Sequence, residues 1–222
     1  MITRIGDQPL DNLGNVRVKD DLRLSYQYFV PKLAKDGRAK LTVFRDRQTS
    51  EVSVPVRTDS NLVVPFLMGK YPRYFIYGPM VFMQATQEQV LTLGMSPTWA
   101  VSLMMAKNPL LSRETDQRAF DGEEIVTLGH SLLPHRTSRG YNPPGYSVVT
   151  HVNGTAVRNL AHLVELLRDA KGELLTIDLA GRAPPLVFRR EEALKATEEL
   201  LSDEGIRKQC SDDLESIWHP HK

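Results

Sequence analysis

The chain has 222 residues, of which 41% are hydrophobic and 25% charged, a folded globular composition that excludes wholesale disorder. A formal net charge of +1 supplies no field to gather nucleic acid or an acidic membrane. A single cysteine, Cys210, excludes an internal disulfide and a Cys-rich zinc site.

Residues 1–7 have no long apolar region and no cleavage pattern, so they do not read as a signal peptide, and the compartment stays open. No apolar run nears the roughly 18 residues of a membrane span, which predicts a soluble protein. The first five residues alternate as a strand and meet a turn at Gly6-Asp7-Gln8-Pro9. Residues 22–33 carry Leu22, Tyr26, Phe29, Val30 and Leu33 at helical spacing, with Pro31 as a complication. Lys35-Asp36-Gly37 stops that helix, and residues 40–46 and 51–56 alternate as two strands around a polar turn. The basic residues from Lys32 to Arg47 are interleaved with Asp36 and Asp46, the pattern of a solvated face.

After a mixed connector, residues 74–83 form two short apolar runs divided by Gly78-Pro79. Residues 87–105 read as one or two helices, followed by a loop near Pro109. Strands are expected at 124–131, 146–152 and 174–179. Between the last two lies a helix at 160–170 with the stripe Leu160, Leu163, Val164, Leu166 and Leu167. A strand at 185–189 and a charged helix at 191–201 complete the ordered part, and the remainder reads as a loose tail. The order strand, Gly turn, helix, Gly stop, strand occurs twice, at 2–43 and 148–177, as in a duplicated module.

The search for chemistry finds little. Ser131 follows Gly129-His130, but a nucleophile elbow needs a small residue where Leu133 stands, and Pro134 leads into a loop rather than a helix. The six histidines show no zincin spacing, and His219-Pro220-His221 with Cys210 is a polar tail rather than a metal site. Glu191-Glu192 and Glu198-Glu199 are solvated faces. No phosphate-cradling or dinucleotide glycine motif is present, so no cofactor is implied. What survives is a binding pattern. A Gly-containing turn leading into an apolar strand, opposed by an amphipathic helix, can take an extended peptide as an added strand. The residues expected to line it are Gly78, Met80, Val81, Phe82 and Met83 on the strand, with His162, Leu163 and Leu166 on the helix.

These residues resemble the PDZ domains that follow the protease domain in HtrA/Deg-type serine proteases. Val152-Asn153-Gly154-Thr155-Ala156-Val157, then Leu160 and Leu163, is similar to the strand, turn and groove helix of such domains. Gly78-Pro79-Met80-Val81-Phe82 is similar to a Gly-Gly-Leu-Val-Phe stretch in the second PDZ domain of plant-like Deg proteases. Ile2 to Leu10 resembles the Ile-Gly-Asp-x-Pro-Leu turn of the first. The resemblance implies an α+β protein of PDZ-like, partly open barrel or sandwich modules with flanking helices. The expected divisions are a truncated first copy at 1–58, a linker at 59–69, a fuller second copy with a helical insertion at 70–190, and a helix and tail at 191–222.

It also implies a non-catalytic peptide-binding region, regulatory or substrate-recognising, in a Deg/HtrA-type protease. The partners implied are extended peptides, unfolded or C-terminal protein segments, and a protease domain in cis or trans, with neither nucleic acid nor membrane. The protease's own His, Asp and Gly-Asn-Ser-Gly-Gly motifs find no match in these residues, and a fragment of a longer chain and a stand-alone remnant both stay open. Pro79 has no N–H where relatives carry Gly, which removes one donor for a peptide carboxylate. The alternatives are a hydrolase using Ser131 with His130, His151 or His162 as base, and a structural module whose groove is filled by the chain itself.

Overall fold

In the computed structural model, residues 1–56 and 61–220 are described; the start of the expected linker (59–60) and His221 fall outside them. The chain divides into two compact units, Met1–Ser60 and Asn61–Lys222.

The first unit contains β1 (Ile2–Ile5), β2 (Gln8–Pro9), β3 (Asn15–Arg17), β4 (Arg23–Ser25), α1 (Tyr26–Leu33), β5 (Arg38–Arg45) and β6 (Gln48–Pro55). Its main sheet has the order β2-β1-β5-β6, and α1 packs on β1 and β5. The helix expected from residue 22 starts later. Residues 23–25 instead pair with β3, placing Leu24 opposite Val16, and Ser25 then caps the helix by accepting from the Gln27 N–H. The β5–β6 turn is tighter than expected. Asp46 and Arg47 both have positive φ, the backbone of a two-residue hairpin turn, so both strands run closer to it. Ile5, Val16 and Ala39 are the fully buried apolar residues described in this unit.

The second unit begins with the hairpin of β7 (Tyr74–Tyr77) and β8 (Met80–Gln84), followed by α2 (Gln87–Gly94), α3 (Pro97–Met105) and α4 (Pro109–Ser112). Then come β9 (Val126–Leu128), β10 (Val149–Val152), β11 (Thr155–Ala156), α5 (Leu160–Arg168), β12 (Leu174–Leu179) and β13 (Leu186–Arg189). Two helices, α6 (Arg190–Asp203) and α7 (Asp212–Trp218), end it. One sheet is β7-β8-β9 and the other β11-β10-β12-β13. Neither closes into a barrel, and with the helices they make the mixed α+β, PDZ-like fold.

The main core lies between these sheets and α5, where Phe75, Tyr77, Met80, Phe82, Leu160, Leu163 and Leu167 are buried together. A second core under α2 to α4 gathers Val63, Val90, Leu103, Leu110 and Ile125. The internal echo in the sequence has a counterpart in topology. Strand, short hairpin partner, helix and two further strands give β2-β1-β5-β6 in one unit and β11-β10-β12-β13 in the other. Both first strands carry a register shift against their long partner, between Ile2 and Arg4 and between Val149 and His151.

The tail departs from expectation. Residues 204–219 are not loose: Cys210 and Leu214 are buried in the main core, and α7 packs along α5. Their composition is polar, and Cys210, Leu214, Ile217 and Trp218 are the residues of this stretch that pack into the main core.

Candidate functional site

The expected site needs one free border on β8. Both are taken. On one side Tyr74–Tyr77 pairs with Met80–Met83; on the other, Phe82, Met83 and Gln84 pair with Leu128, Thr127 and Val126. Nearer the turn, the Gly129 N–H donates to Val81 O at 2.8 Å and the Leu133 N–H to Pro79 O at 2.8 Å. The free border expected along residues 78–83 is therefore corrected: β7 and β9 pair with both sides of β8. The reason lies in the turn. Gly78 has φ +54°, which lets two residues reverse the chain, so the run before Gly78 folds straight back onto the run after it.

The expected residues separate into a buried and an accessible set. Met80, Phe82 and Leu163 are wholly inside the core. Gly78 is sealed by α6: its N–H donates to Thr197 Oγ1 at 2.7 Å, and a Cβ there would stand 3.3 Å from that of Ala193. A donor expected for a peptide carboxylate thus already has a partner. Val81 is half-buried beside Gly129. Met83 borders a pocket of about 250 Å³ with Gln84, Gln89 and Tyr146. His162 and Leu166 border a furrow of about 360 Å³ between α5 and the Asn153-Gly154 hairpin. His162 Nδ1 accepts from the Arg158 N–H at 3.3 Å. Burial first, and then the Arg158 guanidinium, hold its imidazole below the usual range against the pull of Glu165.

The outer edge of β7 is occupied by the chain itself. Cys210 bridges Phe75 in antiparallel fashion. The Ile76 N–H donates to Gln209 O at 2.9 Å and the Ser211 N–H to Tyr74 O at 3.0 Å. Side chains reinforce the pairing: Ser211 Oγ accepts from the Tyr74 N–H at 2.9 Å, and Gln209 Nε2 donates to Ile76 O at 2.9 Å. Beyond the strand, α7 brings Trp218 against Phe75 and Tyr77, with ring centroids 5.1 and 6.0 Å apart. Arg168 of α5 donates to Ile217 O at 2.6 Å. Arg73 ties the arrangement together through Glu124 (2.6 Å) and Asp213 (2.6 Å), while Glu124 also accepts from the Leu160 N–H at the start of α5. A strand added to a sheet edge beside a helix is the geometry of peptide recognition by β-augmentation. The signal for it in Gln209-Cys210-Ser211 is faint, since three residues without a β-branched or aromatic side chain are too few to show strand periodicity.

No hydrogen bond joins Ser131 to a histidine among the described residues, and His130 instead packs its ring on Trp99 and Tyr146. His151 pairs with Ala156 and Asp178 in the sheet. Among the described residues no group of three or more His, Cys, Asp and Glu could hold a metal ion. No helix among them is long and apolar enough to cross a membrane.

A strand edge dressed with an extended segment, beside an amphipathic helix and an Asn-Gly hairpin, is the architecture of a protein-interaction domain. The chain belongs to the PDZ domain family, whose model matches residues 63–213. It is 27% identical over 201 residues to Protease Do-like 4, mitochondrial, of Arabidopsis thaliana, covering 90% of this chain and 35% of that protein. It is 26% identical over 171 residues to a serine protease DegP homolog of Plasmodium falciparum, covering 77% and 18% respectively. A third relative, putative protease Do-like 11, mitochondrial, of Arabidopsis thaliana, is 22% identical over 214 residues, covering 96% of this chain and 33% of that protein. The chain thus spans 18% to 35% of the length of these relatives, and its match to them is that of the PDZ region of a Deg-type protease.

Proposed function

We propose that residues 61–222 form the docking module of a Deg-type protease, regulatory or substrate-recognising, that takes an extended segment by strand addition on the outer edge of β7. The observation supporting this is that the edge already takes one: Gln209 to Ser211 lie along it in an antiparallel bridge, with Trp218 anchored beyond. Main-chain hydrogen bonds supply affinity for any extended chain, and the Phe75–Tyr77 surface selects a large apolar side chain. Because the Gly78 N–H is engaged by Thr197, a free C-terminal carboxylate is not required, and internal segments serve. His162 and Leu166 border the accessible furrow on α5, where residues flanking the docked segment would lie. The occupying segment is tethered, which gives it an effective concentration on the order of millimolar, so an incoming peptide must compete with it.

A second reading is favoured by the same occupancy: the segment is a permanent part of the fold and the module serves assembly. The two readings are separated with a fluorescent peptide copying residues 206–219, titrated into the full chain and into its Trp218→Ala variant. Docking predicts that the variant binds about tenfold tighter, its own segment being weakened, and that bound peptide speeds alkylation of Cys210. If the variant exposes Cys210 yet takes up no peptide, the structural reading stands instead.

A further inference from the structure

The two units repeat one strand register, which pairs their positions one by one. In the first, Ile5 lies across from Leu41 and Leu41 across from Val52. In the second, Val152 lies across from Ile177 and Ile177 across from Leu186. Side chains directly opposite one another share a sheet face, so each trio is one apolar row over three strands. The second row is 1%, 0% and 2% exposed along its length. The first starts at 0% on Ile5 but opens through a half-buried Leu41 to Val52, which is 42% exposed. The flanking pairs repeat the contrast. Phe188 beside Leu175 is buried where Val54 beside Ala39 is half-buried, and Val149–Leu179 is buried where Ile2–Val43 is half-buried. The difference lies in what covers the rows. Phe75, Tyr77, Met80 and Phe82 of the β7–β8 hairpin sit in the same buried cluster as Val152, Ile177 and Leu186. The small second sheet of the first unit, β3-β4, packs on β2 and α1 instead.

We infer that the open row of the first unit, with Leu41, Val43, Val52 and Val54, is a docking face for an apolar β-hairpin of another polypeptide, the counterpart of β7–β8. The second unit identifies the occupant, because there the same rows in the same register are buried together with such a hairpin. The sequence of the strands agrees. Lys40, Thr42, Glu51 and Ser53 alternate onto the opposite face, so the apolar side chains of β5 and β6 at these positions are confined to the face a hairpin would cover. A second copy of the chain has no free hairpin of this kind: its own is buried in the main core, with both borders of β8 paired. This face belongs to the first unit and does not depend on docking at the β7 edge.

The test uses a fluorescent, lysine-flanked copy of residues 73–84, cyclised so that the hairpin is formed before it binds, and a scrambled cyclic peptide of the same composition. Each is added to the full chain. The copy is expected to bind in the micromolar range and the scrambled peptide at least about tenfold more weakly. Bound copy is expected to slow amide exchange across residues 38–55 about fivefold or more. Val52→Lys, which sets a charge in the row, is expected to lose at least about tenfold in affinity. Thr49→Lys adds the same charge to the opposite face of the same strand and is expected to lose less than about twofold. Circular dichroism checks that Val52→Lys is folded; should it not be, the exchange pattern of the unsubstituted chain decides. The inference is overturned if the copy does not bind, if the scrambled peptide binds equally, or if folded Val52→Lys binds unchanged. Protection of residues 74–84 and 209–211 in place of 38–55 overturns it as well. A concentration-dependent dimer in sedimentation that Val52→Lys abolishes would do the same, by identifying a second copy as the occupant.

Discussion

Cys210 lies directly across the strand pair from Phe75, and its thiol donates to Glu215 Oε2 at 3.4 Å. Burial, and after it the Glu215 hydrogen bond, push the thiol up to about 12, so almost none is thiolate at neutral pH. As the only cysteine in the sequence it reports on this segment alone. Alkylation of the native chain at pH 8 is expected to be at least about 100-fold slower than in denaturant, because the thiolate forms only when the segment lifts off. Trp218→Ala removes the ring that packs on Phe75 and Tyr77, at a cost of about 2 kcal/mol, and speeds labelling tenfold or more. Equal rates in the two chains would mean that Trp218 does not hold the segment down.

The seal over the hairpin turn is a single buried hydrogen bond. Thr197→Val keeps the shape but leaves the Gly78 N–H without its acceptor, which is expected to cost about 1–3 kcal/mol. At about 2–4 °C per kcal/mol for a unit of this size, thermal unfolding followed by circular dichroism resolves the loss. Gly78→Ala forces a side chain into left-handed backbone and against Ala193, so it too lowers the melting temperature. Both substitutions act on one contact, so the double variant is expected to lose less than the two single losses combined.

Arg73 joins two carboxylates of unequal burial. The Glu124 side chain is 12% exposed and also caps the first turn of α5 through the Leu160 N–H, whereas Asp213 is 50% exposed. Glu124→Gln is therefore expected to cost about 2 kcal/mol and Asp213→Asn under about 0.5 kcal/mol in denaturant unfolding. A larger effect at Asp213 would show that the anchoring of α7, rather than of α5, governs this cluster.

His162 gives the accessible furrow a pH dependence. Its folded imidazole takes up a proton at lower pH than an unfolded one, whose midpoint lies near pH 6.5, because burial and Arg158 disfavour the charged ring. Between those two values the unfolded chain binds the extra proton. The stability carried by the neutral ring is therefore complete above about pH 6.5 and is lost as pH falls through the folded value. His162→Gln removes this dependence. The melting-temperature advantage of the unsubstituted chain over the variant is expected to be smaller at pH 5 than at pH 8, and a constant difference would refute the assignment.

Much of this molecule is legible from residues alone. The Asn153-Gly154 pair, with φ of +49° and +76°, forms the hairpin that its sequence announces. The stripe of Leu160, Leu163, Val164 and Leu167 is the buried face of α5. Glycine and proline at 78 and 79 divide two strands as expected. Boundaries moved where pairing competed with periodicity, as at residues 23–25, where a strand partner displaced the first turn of a helix.

The sequence by itself determined the family, the mixed strands and helices, and the side chains that make up the core, because alternation and helical spacing record which side chains leave water. Only the tertiary structure decided that both borders of β8 are paired and what lies on the outer edge of β7. Edge pairing is made by main-chain N–H and C=O groups, which every residue carries alike. Gln209, Cys210 and Ser211 therefore show no mark of the partner they take, and the burial of Gly78 beneath α6 follows from a helix more than a hundred residues away.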